Sequence, residues 1–211
     1  NEENGGGMYC LNSSPSITRC VFDSNLANAG AGMDVIQSSP TLIYCSFVNN
    51  KAIALVYPAE GGGMRNSSNS NPSLVRCTFE SNSTTEKGSS GAIYNTASSA
   101  PLLDNCRLSN NHADFGGGMY NNSGPILLNT TVCENSPDQI YGNFIDSGGN
   151  HIADDCSIPC PDLNGDSNVN VNDLLVVIDS WGTSGGIADI NEDGTVNISD
   201  LLILISSWGP C

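Results

Sequence analysis

Basic residues are scarce in this sequence. Its 211 residues include 6 Lys and Arg against 22 Asp and Glu, which gives a formal net charge of −16. Proteins that bind nucleic acid or anionic membrane surfaces need clustered cations, so this balance argues against both functions. Apolar runs fall well short of the roughly 20 residues that a membrane-spanning helix requires, so we expect no membrane insertion. No secretory leader pattern is present, and we expect a mature chain.

The few charges are unevenly distributed. No Lys or Arg follows Arg107, whereas 14 of the 22 acidic residues lie in 108–211. A local excess of carboxylates of this size predicts that the C-terminal part of the chain binds cations.

Five copies of a repeat occupy the first two thirds of the chain. Each copy begins with a Gly-rich segment and then carries an apolar residue, a Pro, a Cys, a second apolar residue that is Phe in the first three copies, and an Asn, at nearly constant spacing. The copies recur every 24 to 32 residues, a period typical of solenoid proteins. The turn residues of the repeat are Asn25, Asn50, Asn82, Asn111 and Asn135, and its cysteines are Cys20, Cys45, Cys77 and Cys106, with Thr130 in the fifth copy.

No copy has the 3.6-residue period of a helix, and each offers short β-type segments separated by Gly, Asn and Ser. If each copy is one coil, equivalent residues stack about 4.8 Å apart. Columns of Met, Leu or Ile, Cys and Phe then fill the interior, and the Asn column forms a ladder of side-chain amides. The sequence therefore predicts a mainly β protein, a parallel β-helix of about six coils over residues 1–156.

The copies, of the form GGGMY…SSP…I..C.F..N, resemble the right-handed β-helix repeats of secreted bacterial proteins, including the polymorphic outer-membrane protein family. The resemblance covers roughly residues 4–150. It implies a right-handed helix and a protein that builds surfaces, adhesins or passenger domains.

A second duplication follows a short linker, 157–161, and occupies residues 162–211. Two 12-residue loops match at an offset of 27, and each continues into Leu-Leu and ends in Ser-Trp-Gly. Oxygen ligands at loop positions 1, 3, 5, 7, 9 and 12 suit a hard Ca²⁺ ion. The predicted ligands of two calcium ions are Asp162, Asn164, Asp166, Asn168, Asn170 and Asp173 in the first loop, and Asp189, Asn191, Asp193, Thr195, Asn197 and Asp200 in the second, with Asn168 and Thr195 acting through their carbonyls.

Asp rather than Glu at position 12, one helix after each loop and the duplication itself resemble the dockerin type I family, over about Pro161–Cys211. The resemblance implies a small α-helical calcium-binding module that attaches its protein to a cohesin-like partner. Loop positions 10 and 11, where specificity often lies in that family, are Val171-Asn172 and Ile198-Ser199.

Each predicted helix carries more apolar residues than a 50-residue module can bury. Leu174, Val177, Ile178 and Trp181 share one face of the first helix, and Leu201, Leu204, Ile205 and Trp208 share one face of the second. We expect these faces to form the small core between the helices. Leu175, Val176, Leu202 and Ile203 remain, and some of them should face a partner or the β-helix.

The 9 cysteines do not form one framework. The stacked column could form disulfides, but parallel side-chain directions favour buried thiols. Cys160 and Cys211 flank the calcium module, so a disulfide between them is plausible in an oxidising compartment. Cys133 can pair with Cys156, which leaves Cys10 unassigned.

Catalytic patterns are weak. Asp23 and Glu80 share a column two coils apart, but the position between them is Val48. Arg19, Tyr44 and Arg76 form another column, which could stack against sugars or be a solvated flank.

Two functional hypotheses follow. The first is a non-enzymatic extracellular structural protein, a calcium-stabilised β-helical subunit that assembles head-to-tail into a cell-surface filament or attaches through its dockerin-like module. The second is a polysaccharide-binding or polysaccharide-degrading β-helix protein that this module anchors to a scaffold.

Overall fold

Short parallel strands dominate the computed structural model, which describes residues 4–54, 58–85, 87–156, 160–191 and 193–210. The chain divides into two compact units, Asn1–Cys156 and Ser157–Cys211. Within the described residues, neither helix has the length and apolar character needed to cross a membrane.

The first unit winds through six coils. The strands of the first three coils are β1 (Met8–Leu11), β2 (Ser16–Thr18), β3 (Val21–Asp23) and β4 (Leu26–Ala27); β5 (Met33–Ile36), β6 (Thr41–Ile43), β7 (Ser46–Val48) and β8 (Lys51–Ala52); and β9 (Met64–Ser67), β10 (Ser73–Val75), β11 (Thr78–Glu80) and β12 (Ser83–Thr84). Those of the last three are β13 (Ile93–Asn95), β14 (Leu102–Asp104) and β15 (Arg107–Ser109); β16 (Met119–Asn121), β17 (Ile126–Leu128) and β18 (Thr131–Cys133); and β19 (Ile140–Tyr141), β20 (Ile145–Asp146) and β21 (His151–Ala153).

Equivalent strands of successive coils pair in parallel and build three long sheets. The first sheet has the order β1-β5-β9-β13-β16-β19, the second β2-β6-β10-β14-β17-β20 and the third β3-β7-β11-β15-β18-β21, while β4, β8 and β12 form a small fourth sheet. The register aligns the repeat in every pair, as in Met33 with Met64 and Phe47 with Phe79. The predicted parallel β-helix is confirmed.

Columns of identical or similar side chains fill the interior. The Met column of the first sheet, the Leu column of the second and the Phe column of the third are buried, except that Met8 in the first coil is partly buried. The rings of Phe22, Phe47 and Phe79 stack with centroids 4.6 and 4.5 Å apart, close to the strand spacing. Because each side chain packs on its own equivalent, the repeat itself specifies the register.

The predicted Asn ladder is present at the turn after the third sheet. Asn82 Nδ2 donates to Asn111 Oδ1 at 2.9 Å and to the Phe47 carbonyl at 2.9 Å, and Asn82 Oδ1 accepts from Asn50 N and Nδ2. The ladder ends at Gln139, whose Oε1 accepts from Asn135 N at 3.1 Å and from Asn135 Nδ2 at 2.9 Å. One side chain therefore satisfies several buried groups of the turn.

A second ladder, Asn66, Asn95 and Asn121, lies inside the helix. Asn66 Nδ2 donates to Asn95 Oδ1, and Asn95 Nδ2 donates to Asn121 Oδ1, at 2.9 and 2.8 Å. Asn66 Oδ1 and Asn121 Nδ2, at its two ends, have no hydrogen-bond partner. The sequence did not predict this ladder, because the first two coils carry Cys10 and Val35 at the same position.

The cysteine column consists of free thiols. Cys45, Cys77 and Cys106 are buried, and Cys20 is exposed. Each buried sulfur contacts a carbonyl oxygen of the preceding coil, as from Cys77 Sγ to Leu42 O at 3.5 Å. Thr130 Oγ1 makes the same contact to Leu103 O at 3.4 Å, which explains why Thr replaces Cys there. Burial raises the pKa of the Cys45 thiol, so it stays protonated and donates.

The predicted disulfide between Cys133 and Cys156 is confirmed. Cys160 is also disulfide-bonded. Its expected partner, Cys211, lies outside the described residues, so that pairing stays a prediction, as does the linker assignment, which falls partly there. Cys10 is a free thiol.

The second unit contains two helices, α1 (Val171–Asp179) and α2 (Ile198–Ser206), and an antiparallel pair, β22 (Asn168–Val169) and β23 (Gly209–Pro210). Its core consists of Val169, Val177, Ala188, Val196 and Leu204.

The expected core faces of the two helices were only partly right. Val177 and Leu204 are buried, but Ile178, Trp181, Ile205 and Trp208 are each about half exposed. The carboxylates Asp173 and Asp200, in the first turn of each helix, are fully buried. Each faces inward together with the residue four positions later, Val177 in α1 and Leu204 in α2. That inward face is offset from the predicted one, so the later apolar residues face outward.

The Asn ladder generates the first prediction. Asn82→Ala leaves the buried Asn50 N without its acceptor and removes one donor each from Phe47 O and Asn111 Oδ1. We expect a cost of about 2–4 kcal/mol in unfolding free energy. Asn122→Ala removes an exposed amide outside the ladder and should cost less than about 0.5 kcal/mol. Denaturant unfolding measures both, and equal losses would contradict the role of the ladder.

Candidate functional site

The two predicted calcium loops have nearly the same backbone arrangement. In the first, Asp162 Oδ1 accepts from Gly165 N at 2.8 Å, and its Oδ2 accepts from Ser167 N at 2.7 Å. In the second, Asp189 Oδ1 accepts from Asp193 N at 3.1 Å. The first carboxylate of each loop thus folds the following residues around itself.

The last carboxylate of each loop joins the loop to its helix. Asp173 Oδ1 accepts from Leu163 N at 2.8 Å and from Asn164 N at 3.2 Å, and its Oδ2 accepts from Asn170 N at 2.8 Å. Asn170 caps α1 in return, since its side chain accepts from Asn172 N. Asp200 and Asn197 repeat these contacts at the start of α2. Both helices therefore begin where the loop geometry requires.

Between these two carboxylates, the amide side chains of each loop converge on a third carboxylate, that of Asp166 or Asp193. Asn164 Nδ2 and Asn170 Nδ2 both lie 3.1 Å from Asp166 Oδ2, and Asn170 Nδ2 lies 3.2 Å from the Asn168 carbonyl. In the second loop, Asn191 and Asn197 converge on Asp193 in the same way, and Asn197 Nδ2 is 2.8 Å from the Thr195 carbonyl. The Asn170 and Asn164 amides lower the pKa of Asp166.

This donor set fits a calcium ion. An amide that donates to a carboxylate presents its oxygen to the same point when it rotates by half a turn, so Asn164 and Asn170 can supply oxygens beside Asp166. Two amides, one carbonyl and carboxylates are the hard ligands that Ca²⁺ prefers. Within the described ranges, no three His, Cys, Asp or Glu side chains are grouped to hold a metal, so the loops depend on amide and carbonyl oxygens as well as carboxylates.

The structure brings together positions 1, 3, 5, 7 and 9 of both loops, and it directs both oxygens of the position-12 residues, Asp173 and Asp200, to backbone amides. The Oδ1 atom of each already accepts two amide hydrogen bonds, whereas the Oδ2 atom accepts one and keeps lone-pair capacity for an ion. The assignment of all twelve residues as ligands stays a prediction.

A charged cluster on the outer face of the first sheet was not predicted. Arg65 donates to both oxygens of Asp34 at 2.8 Å and to Glu60 at 3.2 Å. Burial raises the pKa of Asp34 despite the arginine, and burial beside Glu60 raises the pKa of Tyr94 to about 12. The sequence signal for this cluster was the presence of an Asp and an Arg at the same position of adjacent repeats. Asp34 is fully buried, which suits a structural ion pair better than a reacting group.

The acids considered for catalysis lie apart from this cluster. Asp23 and Glu80 share one column of the third sheet, with Val48 between them, and both are exposed.

Comparison with known families agrees with both units. A model of the right handed beta helix region matches residues 7–173, and a model of the dockerin type I domain matches residues 161–207. The chain therefore belongs to the right-handed β-helix family and carries a dockerin type I domain. The first match extends to the end of the first calcium loop, whereas the last strand of the β-helix ends at Ala153. No curated protein and no solved structure matches the chain.

Dockerin type I domains bind calcium and cohesins, and they occur in secreted cell-surface proteins.

The loop geometry generates the second prediction. Calorimetric titration of the full chain with calcium should give two ions, and Asp166→Ala or Asp193→Ala should each reduce the number to one, because each carboxylate is the centre of one loop. Asp179→Ala removes the same charge from the exposed surface of α1 and should leave two ions. One ion in the unmodified chain, or no effect of either loop variant, would contradict the assignment.

Proposed function

We propose that this chain is a non-catalytic extracellular protein whose rigid β-helix is attached to a cohesin-like partner. The attachment is made by the calcium-dependent second unit, Ser157–Cys211, which we call the connector. The observation that supports this proposal most strongly is a pair of exposed apolar stripes, one along each helix of the connector. The family matches support attachment, and the cysteine pairing of Cys133 with Cys156 supports an oxidising, extracellular location.

The stripes are related by the same offset of 27 residues as the loops. The α1 stripe consists of Val171, Leu175, Ile178 and Trp181, and the α2 stripe consists of Ile198, Leu202, Ile205 and Trp208; their exposed fractions run from 48 to 59%. Eight large apolar side chains exposed in so small a unit mark a protein-binding surface. Trp181 and Trp208, just after the two helices, are of the residue type that most often dominates the binding energy of such surfaces.

Calcium connects the loops to these stripes. Each loop ends in the capping residues of its helix, so an ion held by Asp162–Asp173 or Asp189–Asp200 would fix the start of α1 or α2. Without the ion, the loop carboxylates repel one another and the helices lose their anchors. Calcium would therefore control whether the stripes are presented.

The arrangement of the carboxylates in the β-helix supports a structural rather than a catalytic role for this unit. Asp34 is held in a buried ion pair, and Asp23 and Glu80 are exposed and separated by an apolar residue. Neither arrangement provides the paired acid and base, with room for a reacting bond, that glycoside hydrolysis uses.

Docking generates the third prediction. Leu175→Ala combined with Leu202→Ala truncates both stripes and should weaken binding to a cohesin module at least tenfold, or about 1.4 kcal/mol. Val21→Ala, which removes an exposed apolar side chain from β3, is the control and should not change the affinity. Calorimetry in saturating calcium measures both. Absence of binding to a panel of cohesin modules, or equal affinity of the double variant, would contradict the proposal.

Head-to-tail assembly is a second candidate function. The coil face formed by β1, β2 and β3 surrounds a cavity of about 750 Å³ lined by Met8, Ile17 and Phe22 among others. At the other end of the stack, Gln139 ends the Asn ladder. The apolar stripes of another copy are the matching surface.

The fourth prediction concerns this contact. Electron microscopy of concentrated protein in calcium should show short filaments, which chelation or the double leucine variant disperses. Uniform monomers in both calcium conditions would exclude the homopolymer and leave attachment through a cohesin-like partner unaffected.

A further inference from the structure

We propose that the β-helix carries a binding site for an acidic polysaccharide at the corner between its second and third sheets. The site consists of Arg19, Tyr44, Arg76 and Arg107. It is independent of the connector and of calcium, so it extends the proposed function without depending on it.

Three of these residues stand at the same position of successive coils. Arg19, Tyr44 and Arg76 directly follow β2, β6 and β10, and each has a left-handed backbone with φ of 54, 56 and 52°. The guanidinium carbons of the two arginines lie 5.6 and 5.5 Å from the centroid of the Tyr44 ring, one from each neighbouring coil. Arg76 also donates to the Tyr44 hydroxyl. The ring thus holds two exposed cations at a fixed spacing.

Arg107 lies one coil further along in the adjacent column, since the residue that continues the row after β14 is Asn105. Arg107 begins β15 and pairs with Thr78, which stands two residues after Arg76, and it is exposed. Half of the chain's 6 basic residues therefore share one edge of a protein that has 22 acids.

These three arginines form no ion pair with any described residue; the ion pairs found there belong to Arg65. Carboxylates nearby are hydrogen bonded to their own neighbours, Asp104 to Asn105 at 2.7 Å and Asp23 to Ser24 at 2.8 Å. Holding like charges together without a counter-charge is unfavourable. An anionic ligand would remove that cost.

The geometry favours a linear carboxylated sugar chain over an acidic peptide. Arg19 and Arg76 are two coils apart, or about 10 Å along the axis, and guanidinium groups bind carboxylates through two parallel hydrogen bonds. The adjacent column offers hydroxyls, with Thr78 Oγ1 bonded to Ser46 Oγ at 2.9 Å. A polyhydroxylated ligand finds partners there, whereas apolar peptide side chains would not.

The test is titration of the full chain with a short uronic-acid oligosaccharide at fixed calcium and low salt. We expect saturable binding that falls at least tenfold in Arg19→Gln/Arg76→Gln. Lys51→Gln/Lys87→Gln removes the same charge elsewhere and should retain the affinity. Arg19→Lys/Arg76→Lys keeps the charge without the planar fork and should show an intermediate loss.

Four results would overturn the proposal: no binding at millimolar oligosaccharide, equal binding of the neutral oligosaccharide, an equal loss in the lysine control, or equal affinity for a glutamate peptide of matched charge. Because all substituted side chains are exposed, circular dichroism of each variant should match the unmodified protein. If the arginine variant alone fails to fold, the unmodified protein must still prefer the uronic-acid ligand to the neutral one, and failure to do so also rejects the site.

Discussion

The in-register stacking of one coil on the next is the interaction on which the β-helix depends. Each strand completes its backbone hydrogen bonds only with the coils above and below it, so no coil is stable alone. Side-chain ladders fix the register of that stacking. A slip by one residue would expose the Phe and Met columns and separate Asn50, Asn82 and Asn111 from one another.

The same constraint explains why so much of the fold could be predicted from the sequence. In a solenoid, equivalent positions become physical neighbours, so the Asn25 to Asn135 spacing directly implied a ladder. The inner Asn66–Asn95–Asn121 ladder has only three members and shares its position with Cys10 and Val35, so the repeat gave no comparable signal. The ion pair of Asp34 and Arg65 was missed for a related reason: a single Asp next to a single Arg breaks the repeat instead of forming it.

The connector shows where sequence periodicity was insufficient. Helical spacing placed Ile178 and Trp181 toward the core, but the capping contacts of Asp173 set the rotation of α1 and turned them outward. The sequence analysis assigned Asp173 only as a calcium ligand. Its inward direction depends on hydrogen bonds from the loop amides of Leu163 and Asn164, which only three-dimensional structure reveals. The same rotation in α2 makes the exposed stripes a consequence of loop geometry, which links calcium to the proposed docking surface.

The side-chain ladders of the β-helix involve no metal ligand, whereas the two loops of the second unit are proposed to need calcium. Residue-resolved hydrogen exchange with and without calcium tests this division most directly. Chelation should greatly accelerate exchange of the Leu163, Asn170 and Asn197 amides and of α1 and α2, while the Asn50, Asn82 and Asn111 amides keep their protection. Loss of protection in the ladder amides on chelation, or unchanged protection of both helices, would contradict the account.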